Sequence, residues 1–181
     1  RALQSGINVG KIVVHIAVAH SSYRTCCHVV TGGTAGLGLL TGRWLAQRSP
    51  CHLILVSRSG CIGHHAKPEW HAVETSGSSA SVEQCDVADT FKMRQLILRV
   101  PTHAGIWHAA GVLADAVLPA QTAAAAASVH APKTHGAWLL HRMRPAAGLS
   151  SLVLFSSVAS MLGGAGQANY AAASAYLDGL S

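Results

Sequence analysis

Two hydroxyl side chains near the end of this sequence, Ser157 and Tyr170, are suited to act together on one carbonyl oxygen. Ser157 follows a short apolar run and Tyr170 stands where a helix is predicted to begin, so a strand end and a helix start would present them. A free tyrosine, with a pKa of about 10, exchanges protons reluctantly near neutral pH, so a cation must stabilise its phenolate. This pair predicts proton donation to a carbonyl that accepts a hydride.

The residue one helical turn after Tyr170 does not supply this cation. One turn after Tyr170 the chain has Ser174, which carries no charge. The chain has four lysines, at positions 11, 67, 92 and 133. Lys133 is the one close enough in sequence and topology to reach Tyr170, so we expect it to supply the charge.

A glycine-rich stretch at residues 28–38 predicts a strand, a phosphate-binding turn and a helix. Its glycines let the backbone bend and approach an anionic ligand closely. The spacing is G-x-x-x-G-x-G, which differs from the dinucleotide fingerprint G-x-G-x-x-G. A glycine-rich loop without a ligand is the alternative. The helix is indicated by apolar residues at helical spacing, namely Leu37, Leu40, Trp44 and Leu45.

Strand and helix patterns alternate along the rest of the chain. The predicted strands are residues 28–31, 52–56, 81–85, 105–108 and 149–155, after an earlier β-branched run at 9–16. The predicted helices begin near Gly36, Pro68, Asp89 or Thr90, Ala120, Pro132 and Tyr170. In the helix capped by Asp89 or Thr90, we expect Phe91, Leu96 and residues 98–100 to face inward. This alternation predicts an α/β fold, a Rossmann-like doubly wound parallel sheet with helices on both faces and ligands at the carboxyl ends of the strands.

The second strand ends in Ser57 and Arg58, with no acidic residue at its tip. An acid there would bind the ribose 2′-hydroxyl of NAD, whereas an arginine beside a hydroxyl suits the 2′-phosphate of NADP. We therefore expect NADPH, with a solvated loop arginine as the alternative. Asp86 and Val87 follow the third strand, at the edge where an adenine would lie, and small residues at 109–111 leave room for the nicotinamide ribose.

Composition limits the other classes of function. The chain has 181 residues, of which 50% are hydrophobic, enough for one domain with a buried core. Its formal charge of +6 comes from scattered basic residues, which argues against nucleic-acid binding and for anionic cofactors or an acidic partner. No apolar run approaches the length of a membrane span. Five cysteines without paired spacing favour reduced thiols and a cytoplasmic location.

A zinc site formed by Cys61, His64 and His65, with His71 and Cys85 further along the chain, is the metal alternative. Structural zinc sites use closely spaced ligand pairs, and Cys61 has no such cysteine partner. We expect a polar surface loop there and no metal.

From Val29 onward the chain resembles the ketoreductase domain of a type I polyketide synthase, within the short-chain dehydrogenase/reductase superfamily. The matching stretches are residues 30–38, 55–58, 86–89, 108–113, 131–133, 136–138, 155–157 and 166–173. The resemblance implies NADPH-dependent reduction of a β-ketoacyl thioester, carried on an acyl carrier protein, to a β-hydroxyacyl thioester. It also implies neighbouring synthase domains in the same chain.

The resemblance assigns catalysis to Tyr170, Ser157, Lys133 and the position of Ser174, and places the lysine on the helix before the serine strand. The implied cofactor residues are Thr31, Gly32, Gly33, Thr34, Gly36, Leu37, Gly38, Ser57, Arg58, Asp86, Val87, His108, Ala109, Ala110 and Gly111. The family has asparagine at position 174, where it helps to hold the lysine and a proton-relay water. The shorter serine keeps a second hypothesis open, a catalytically impaired nucleotide-binding scaffold.

Two further positions bear on substrate orientation. In this family a Leu-Asp-Asp pattern after the fourth strand accompanies a D-configured product, and a tryptophan eight residues before the tyrosine accompanies the opposite configuration. Here the first pattern keeps its final residue, Asp115, and Leu162 replaces the tryptophan. We therefore expect the D-hydroxy product.

The resemblance also predicts the domain limits. Residues 1–24 are expected to be a linker and strand from a preceding region, resembling the junction after an enoyl reductase domain. Residues 25–181 are expected to form the ketoreductase domain, incomplete at its C-terminus because the family's substrate-covering region and final strand are missing.

Overall fold

The computed structural model describes residues 26–101, 103–143 and 149–181. The strand predicted at residues 9–16 and the linker predicted over residues 1–24 lie outside the described residues.

The described residues contain one five-stranded sheet in which every neighbouring pair is parallel. Its strands are β1 (Cys26–Thr31), β2 (Cys51–Ser57), β3 (Ser79–Gln84), β4 (Gly105–His108) and β5 (Ser151–Leu154). They lie in the order β3-β2-β1-β4-β5. The strand order reverses between β1 and β4, and in open parallel sheets a ligand crevice forms at the carboxyl ends of the strands at such a point.

Helices cover both faces of this sheet, which confirms the predicted Rossmann-like fold. They are α1 (Gly36–Arg48), α2 (Lys67–Glu74), α3 (Thr90–Arg99), α4 (Ala123–His130), α5 (Gly136–Met143), α6 (Ala159–Leu162) and α7 (Ala168–Leu180). A π-helical turn, Ala131–His135, joins α4 to α5. One core packs strand residues against Leu39 and Val73, and the other packs them against Met93 and Leu140.

None of the helices in the described part of the chain is both long enough and apolar enough to cross a membrane.

The helix predicted near Gly36 is present as α1, but its apolar stripe is not its buried face. Leu37, Leu40 and Trp44 are each 45% or more exposed, and of the stripe only Leu45 is buried. The buried face consists largely of small residues, including Gly38, Gly42 and Ala46. A Cβ at Gly42 would lie 3.1 Å from Leu55 Cδ2 of β2, so small residues bring α1 close to the sheet.

The predicted interior of α3 needs a similar correction. Phe91 and Leu98, which we expected to face inward, are 69% and 75% exposed, whereas Met93, Leu96 and Ile97 are buried. Asp89 rather than Thr90 caps this helix. Its Oδ1 accepts hydrogen bonds from the backbone N–H groups of Phe91 and Lys92, each at 3.0 Å. The cap fixes where α3 begins.

Candidate active site

A cleft of about 640 Å³ lies at the carboxyl ends of the strands and contains most of the predicted site residues. Its lining comes from the turn after β1, the ends of β2 and β3, the loop after β4, the π-helical turn and the start of α7. The predicted residues on the lining are Gly32, Thr34, Gly36, Leu37, Gly38, Ser57, Arg58, Asp86, Val87, Ala109, Ala110, Gly111, Lys133 and Tyr170.

The turn after β1 is shaped by two glycines. Gly32 has a φ of +67°, and a Cβ there would lie 2.8 Å from the carbonyl oxygen of Ala109. A Cβ at Gly38 would overlap the carbonyl oxygen of Gly32, so helix α1 also needs a glycine where it crosses the turn. The residue before α1, Ala35, provides no side-chain cap, and the first amides of this 13-residue helix are left for a ligand.

The tip of β2 is held by its own hydroxyl groups. Ser57 Oγ accepts a hydrogen bond from the backbone N–H of Gly60 at 3.1 Å and lies 3.3 Å from Ser59 Oγ. The side-chain amide of Gln84 donates to the carbonyl oxygen of Arg58 at 3.1 Å. The backbone on both sides of Arg58 is therefore fixed, and its exposed side chain brings a positive charge to this end of the cleft.

Asp86 also lines the cleft, two residues after the end of β3. Its Oδ1 accepts a hydrogen bond from the backbone N–H of Ala88 at 3.0 Å, which closes a local turn. Val87, the next residue, is buried and lines the same part of the cleft.

Lys133 and Tyr170 meet at the other end of the cleft. Lys133 Nζ donates to Tyr170 Oη at 3.3 Å and to the carbonyl oxygen of Phe155 at 3.2 Å. The ammonium also lies 4.4 Å from the centroid of the tyrosine ring. Only 4% of Lys133 is exposed, so its charge acts on the phenol with little screening by water. The lysine is thus next to the tyrosine, as predicted from the sequence.

The predicted serine, Ser157, is not on the lining of the cleft, but it directly follows Phe155 and Ser156, which are. Phe155, whose carbonyl receives the Lys133 hydrogen bond, is two residues before Ser157. Ser157 Oγ accepts a hydrogen bond from the backbone N–H of Ala159 at 3.2 Å, which fixes the hydroxyl at the start of α6. Its hydroxyl proton remains available to donate to another group.

Ser174 lies on α7, one turn after Tyr170, and is completely buried. Its carbonyl oxygen accepts a hydrogen bond from Ser156 Oγ at 3.1 Å. Its own Oγ has no hydrogen-bond partner among the described residues. A buried hydroxyl without a partner costs stability and contributes no support to Lys133.

His108 and Thr31, both predicted at the cofactor site, lie behind the cleft rather than on its lining. His108 Nδ1 is 2.7 Å from Thr31 Oγ1, and its Nε2 is 3.2 Å from the carbonyl oxygen of Lys133. Burial lowers the pKa of His108 from 6.5 to about 4, so the imidazole is neutral at pH 7. Their side chains therefore do not reach the surface of the cleft. Gly33 is likewise not on the lining, and a Cβ there would lie 2.5 Å from the carbonyl oxygen of Val30.

A polar cluster that the sequence analysis did not identify joins the start of α7 to the loop after β4. Asn169 is buried, and its Nδ2 donates to the carbonyl oxygen of Ala114 at 2.8 Å and to Gln121 Oε1 at 3.2 Å. Gln121 Nε2 donates to the carbonyl oxygen of Ala116 at 2.9 Å. In the sequence, the indication of this cluster is Asn169, a polar residue immediately before Tyr170.

The two residues predicted to orient substrate are Asp115 and Leu162. Asp115 lies next to this polar cluster, whereas Leu162 lies at the C-terminal end of α6. Asp115 Oδ2 accepts a hydrogen bond from Gln167 Nε2 at 3.0 Å, which fixes the loop after β4 against the segment before α7. Leu162 is the last residue of α6 and is 81% exposed.

Comparison with known proteins gives a consistent result. A family model described as the KR domain matches residues 26–181. The chain is 38% identical over its full length to the polyketide synthase GfsB of Streptomyces halstedii and 38% identical over 99% of its length to the erythronolide synthase EryA2 of Saccharopolyspora erythraea. It spans 3% and 5% of the lengths of those two relatives.

Solved structures agree with this match. An A-type ketoreductase from a modular polyketide synthase superposes with a TM-score of 0.78 at 34% identity, over 86% of this chain and 34% of that one. An N-terminal ketoreductase from the macrolactin assembly line superposes with a TM-score of 0.80 at 30% identity, over 91% of this chain and 35% of that one.

Proposed function

Because the chain belongs to the KR domain family, the ketoreductases of polyketide synthases, we propose that it uses NADPH to reduce a β-ketoacyl thioester to a β-hydroxyacyl thioester. The observation that carries this proposal is the contact between Lys133 Nζ and Tyr170 Oη in a cleft that is also lined by the glycine turn and Arg58. The test is whether the full-length protein oxidises NADPH when a β-ketothioester is added.

The residues of the cleft fit a dinucleotide phosphate. The uncapped first turn of α1 and the glycine cradle at Gly32 suit a pyrophosphate, which a Cβ would displace. Arg58, beside the fixed hydroxyl of Ser57, suits a 2′-phosphate. The small residues at 109–111 would leave space for the nicotinamide ribose.

A nicotinamide cofactor held by these residues would supply the hydride for reduction of the carbonyl. The chain's own residues manage the negative charge that then develops on the carbonyl oxygen. Tyr170 donates its proton to that oxygen, and Lys133 stabilises the phenolate that remains. Ser157 donates a hydrogen bond to the same oxygen and so orients the carbonyl.

The proposed substrate is a thioester carried by an acyl carrier protein, with neighbouring synthase domains in the same chain. The small share of the polyketide synthase relatives that this chain spans supports that arrangement. Residues 1–24 would then be the junction with a preceding domain and residues 25–181 the ketoreductase domain, continued by a further segment. A cytoplasmic location is consistent with such an enzyme.

Arg58 sets the cofactor preference in this account. Arg58→Ala should raise the dissociation constant for NADPH by about tenfold or more, because it removes a charge-assisted bond to the 2′-phosphate, and should leave that for NADH nearly unchanged. Cofactor fluorescence titration of the full-length protein measures both constants. Arg94→Ala, an exposed arginine of α3, is the matched control. Equal losses for the two cofactors would show that Arg58 does not contact the 2′-phosphate.

Ser174 favours a second candidate function, an impaired nucleotide-binding scaffold that binds NADPH without turnover. Since its hydroxyl has no partner, Ser174→Ala should change kcat by less than about twofold. Ser174→Asn should raise kcat severalfold by restoring a longer polar side chain behind Lys133. Steady-state kinetics of both variants show whether the side chain at position 174 limits turnover. A large loss in Ser174→Ala would show that the hydroxyl takes part in catalysis.

Product configuration depends on the side from which the thioester arm enters. We expect the D-hydroxy product, because Asp115 is held in place by Gln167 and Leu162 provides no bulky ring. Chiral chromatography of the reduced thioester measures the ratio, and Leu162→Trp should increase the L fraction. A predominantly L-configured product from the unaltered protein would overturn this assignment.

A further inference from the structure

The turn that carries Lys133 is not an ordinary α-helix. Ala131–His135 is π-helical, with the backbone N–H of Gly136 donating to the carbonyl oxygen of Ala131. Single π-helical turns are rare and occur frequently at functional sites. A π-helical turn changes the direction in which its side chains project. The contact between Lys133 Nζ and Tyr170 Oη therefore depends on what fixes the backbone of this turn.

His108 contacts this turn directly. Its Nε2 lies 3.2 Å from the carbonyl oxygen of Lys133 itself, and a carbonyl oxygen can only accept a hydrogen bond. The neutral imidazole therefore carries its proton on Nε2 and accepts on Nδ1, where Thr31 Oγ1 donates at 2.7 Å. The tautomer is set by its two neighbours.

The residues that anchor these hydrogen bonds, His108 and Thr31, lie on paired strands of the sheet. His108 and Thr31 are the last residues of β4 and β1, and they face each other in the parallel register. Both side chains are at least 99% buried. Backbone pairing at the centre of the sheet thus fixes the imidazole that holds the Lys133 carbonyl.

Gly136 makes the close approach of the turn to His108 possible. A Cβ at this buried position would lie 3.1 Å from His108 Cε1 and 2.9 Å from Val87 Cγ2. Any larger residue would push the turn away from β4. This glycine is needed for contact and not for an unusual φ, since its φ is −57°.

We propose that His108 is a positioning residue which, with Gly136 beside it, holds the π-helical turn so that the Lys133 ammonium reaches Tyr170. The inference rests on the proposed reductase function for its kinetic consequence. Its structural consequence, an ordered turn, is independent of turnover.

The test compares three variants of the full-length protein. His108→Leu removes both hydrogen bonds while keeping an apolar volume, and His108→Gln keeps an N–H donor near the position of Nε2. Gly136→Ala displaces the turn sterically, and Gly179→Ala is its control, because a Cβ at that exposed helical position meets no atom within 4 Å. Steady-state kinetics and amide hydrogen exchange of the peptide covering residues 131–143 are measured on each.

We expect His108→Leu and Gly136→Ala to lower kcat by about 10- to 100-fold with KM changed by less than about threefold, as a displaced catalytic group would. Both should also speed amide exchange in the peptide at least tenfold. His108→Gln should recover most of kcat, and Gly179→Ala should match the unaltered protein.

Faster exchange with unchanged kcat in His108→Leu would overturn the proposal, as would exchange that does not change. Equal losses in the leucine and glutamine variants would overturn it as well, since a general packing defect would not distinguish them. An unaltered protein that does not oxidise NADPH would contradict the reductase function alone. The exchange measurement would then still decide whether His108 orders the turn.

Discussion

Tyr170→Phe abolishes ketone reduction in this account, with a loss in kcat of about 10³-fold or more, because no other donor replaces the phenol proton at the carbonyl oxygen. The dissociation constant for NADPH should change by less than about twofold, since the hydroxyl acts on the substrate. Stopped-flow mixing measures the chemical step, and cofactor fluorescence measures binding.

Tyr176→Phe is the matched control, because Tyr176 lies on the same helix and is 41% exposed. It should retain full activity. Ser157→Ala should resemble Tyr170→Phe but lose less, because it removes an orienting hydrogen bond and not the proton donor. Near-normal turnover in Tyr170→Phe would mean that another group donates the proton.

Lys133→Met removes the charge that stabilises the phenolate. Methionine fills a similar volume at this buried site, so the fold should persist while kcat falls by about 10²- to 10³-fold. Lys92→Met, on the exposed surface of α3, should have no effect. Steady-state kinetics with both variants gives the comparison.

The double variant Lys133→Met with Tyr170→Phe sharpens this second prediction. Because the lysine acts through the tyrosine at 3.3 Å, the double variant should be no slower than Tyr170→Phe alone. Additive losses would show that Lys133 contributes through a different group, and unchanged turnover in Lys133→Met would exclude it from the mechanism.

Local sequence signals were enough to predict the frame of this site. The glycines at 32 and 38 have few uses besides a close backbone crossing, and the structure shows that crossing at the carbonyl oxygens of Ala109 and Gly32. Alternating strand and helix patterns gave the parallel sheet, and a parallel sheet brings strand ends to one edge.

The features that the sequence did not predict depend on packing between residues that are distant in the chain. The apolar stripe of α1 indicates the helix but not its buried face, because small residues at 38, 42 and 46 allow a closer approach to the sheet than leucine does. Lys133 was chosen by elimination among four lysines, but the π-helical turn that presents it has no clear signature in the sequence. The partners of His108 and Asn169 are distant in sequence and depend on the completed fold.

The measurement that tests the central claim most directly is nicotinamide absorbance after a β-ketothioester surrogate is mixed with NADPH and the full-length protein, with Tyr170→Phe as the blank. We predict a decline in absorbance matched mole for mole by β-hydroxythioester, and none in the blank. NADPH that binds to the unaltered protein but shows no decline in absorbance would contradict the reductase assignment and favour the nucleotide-binding scaffold.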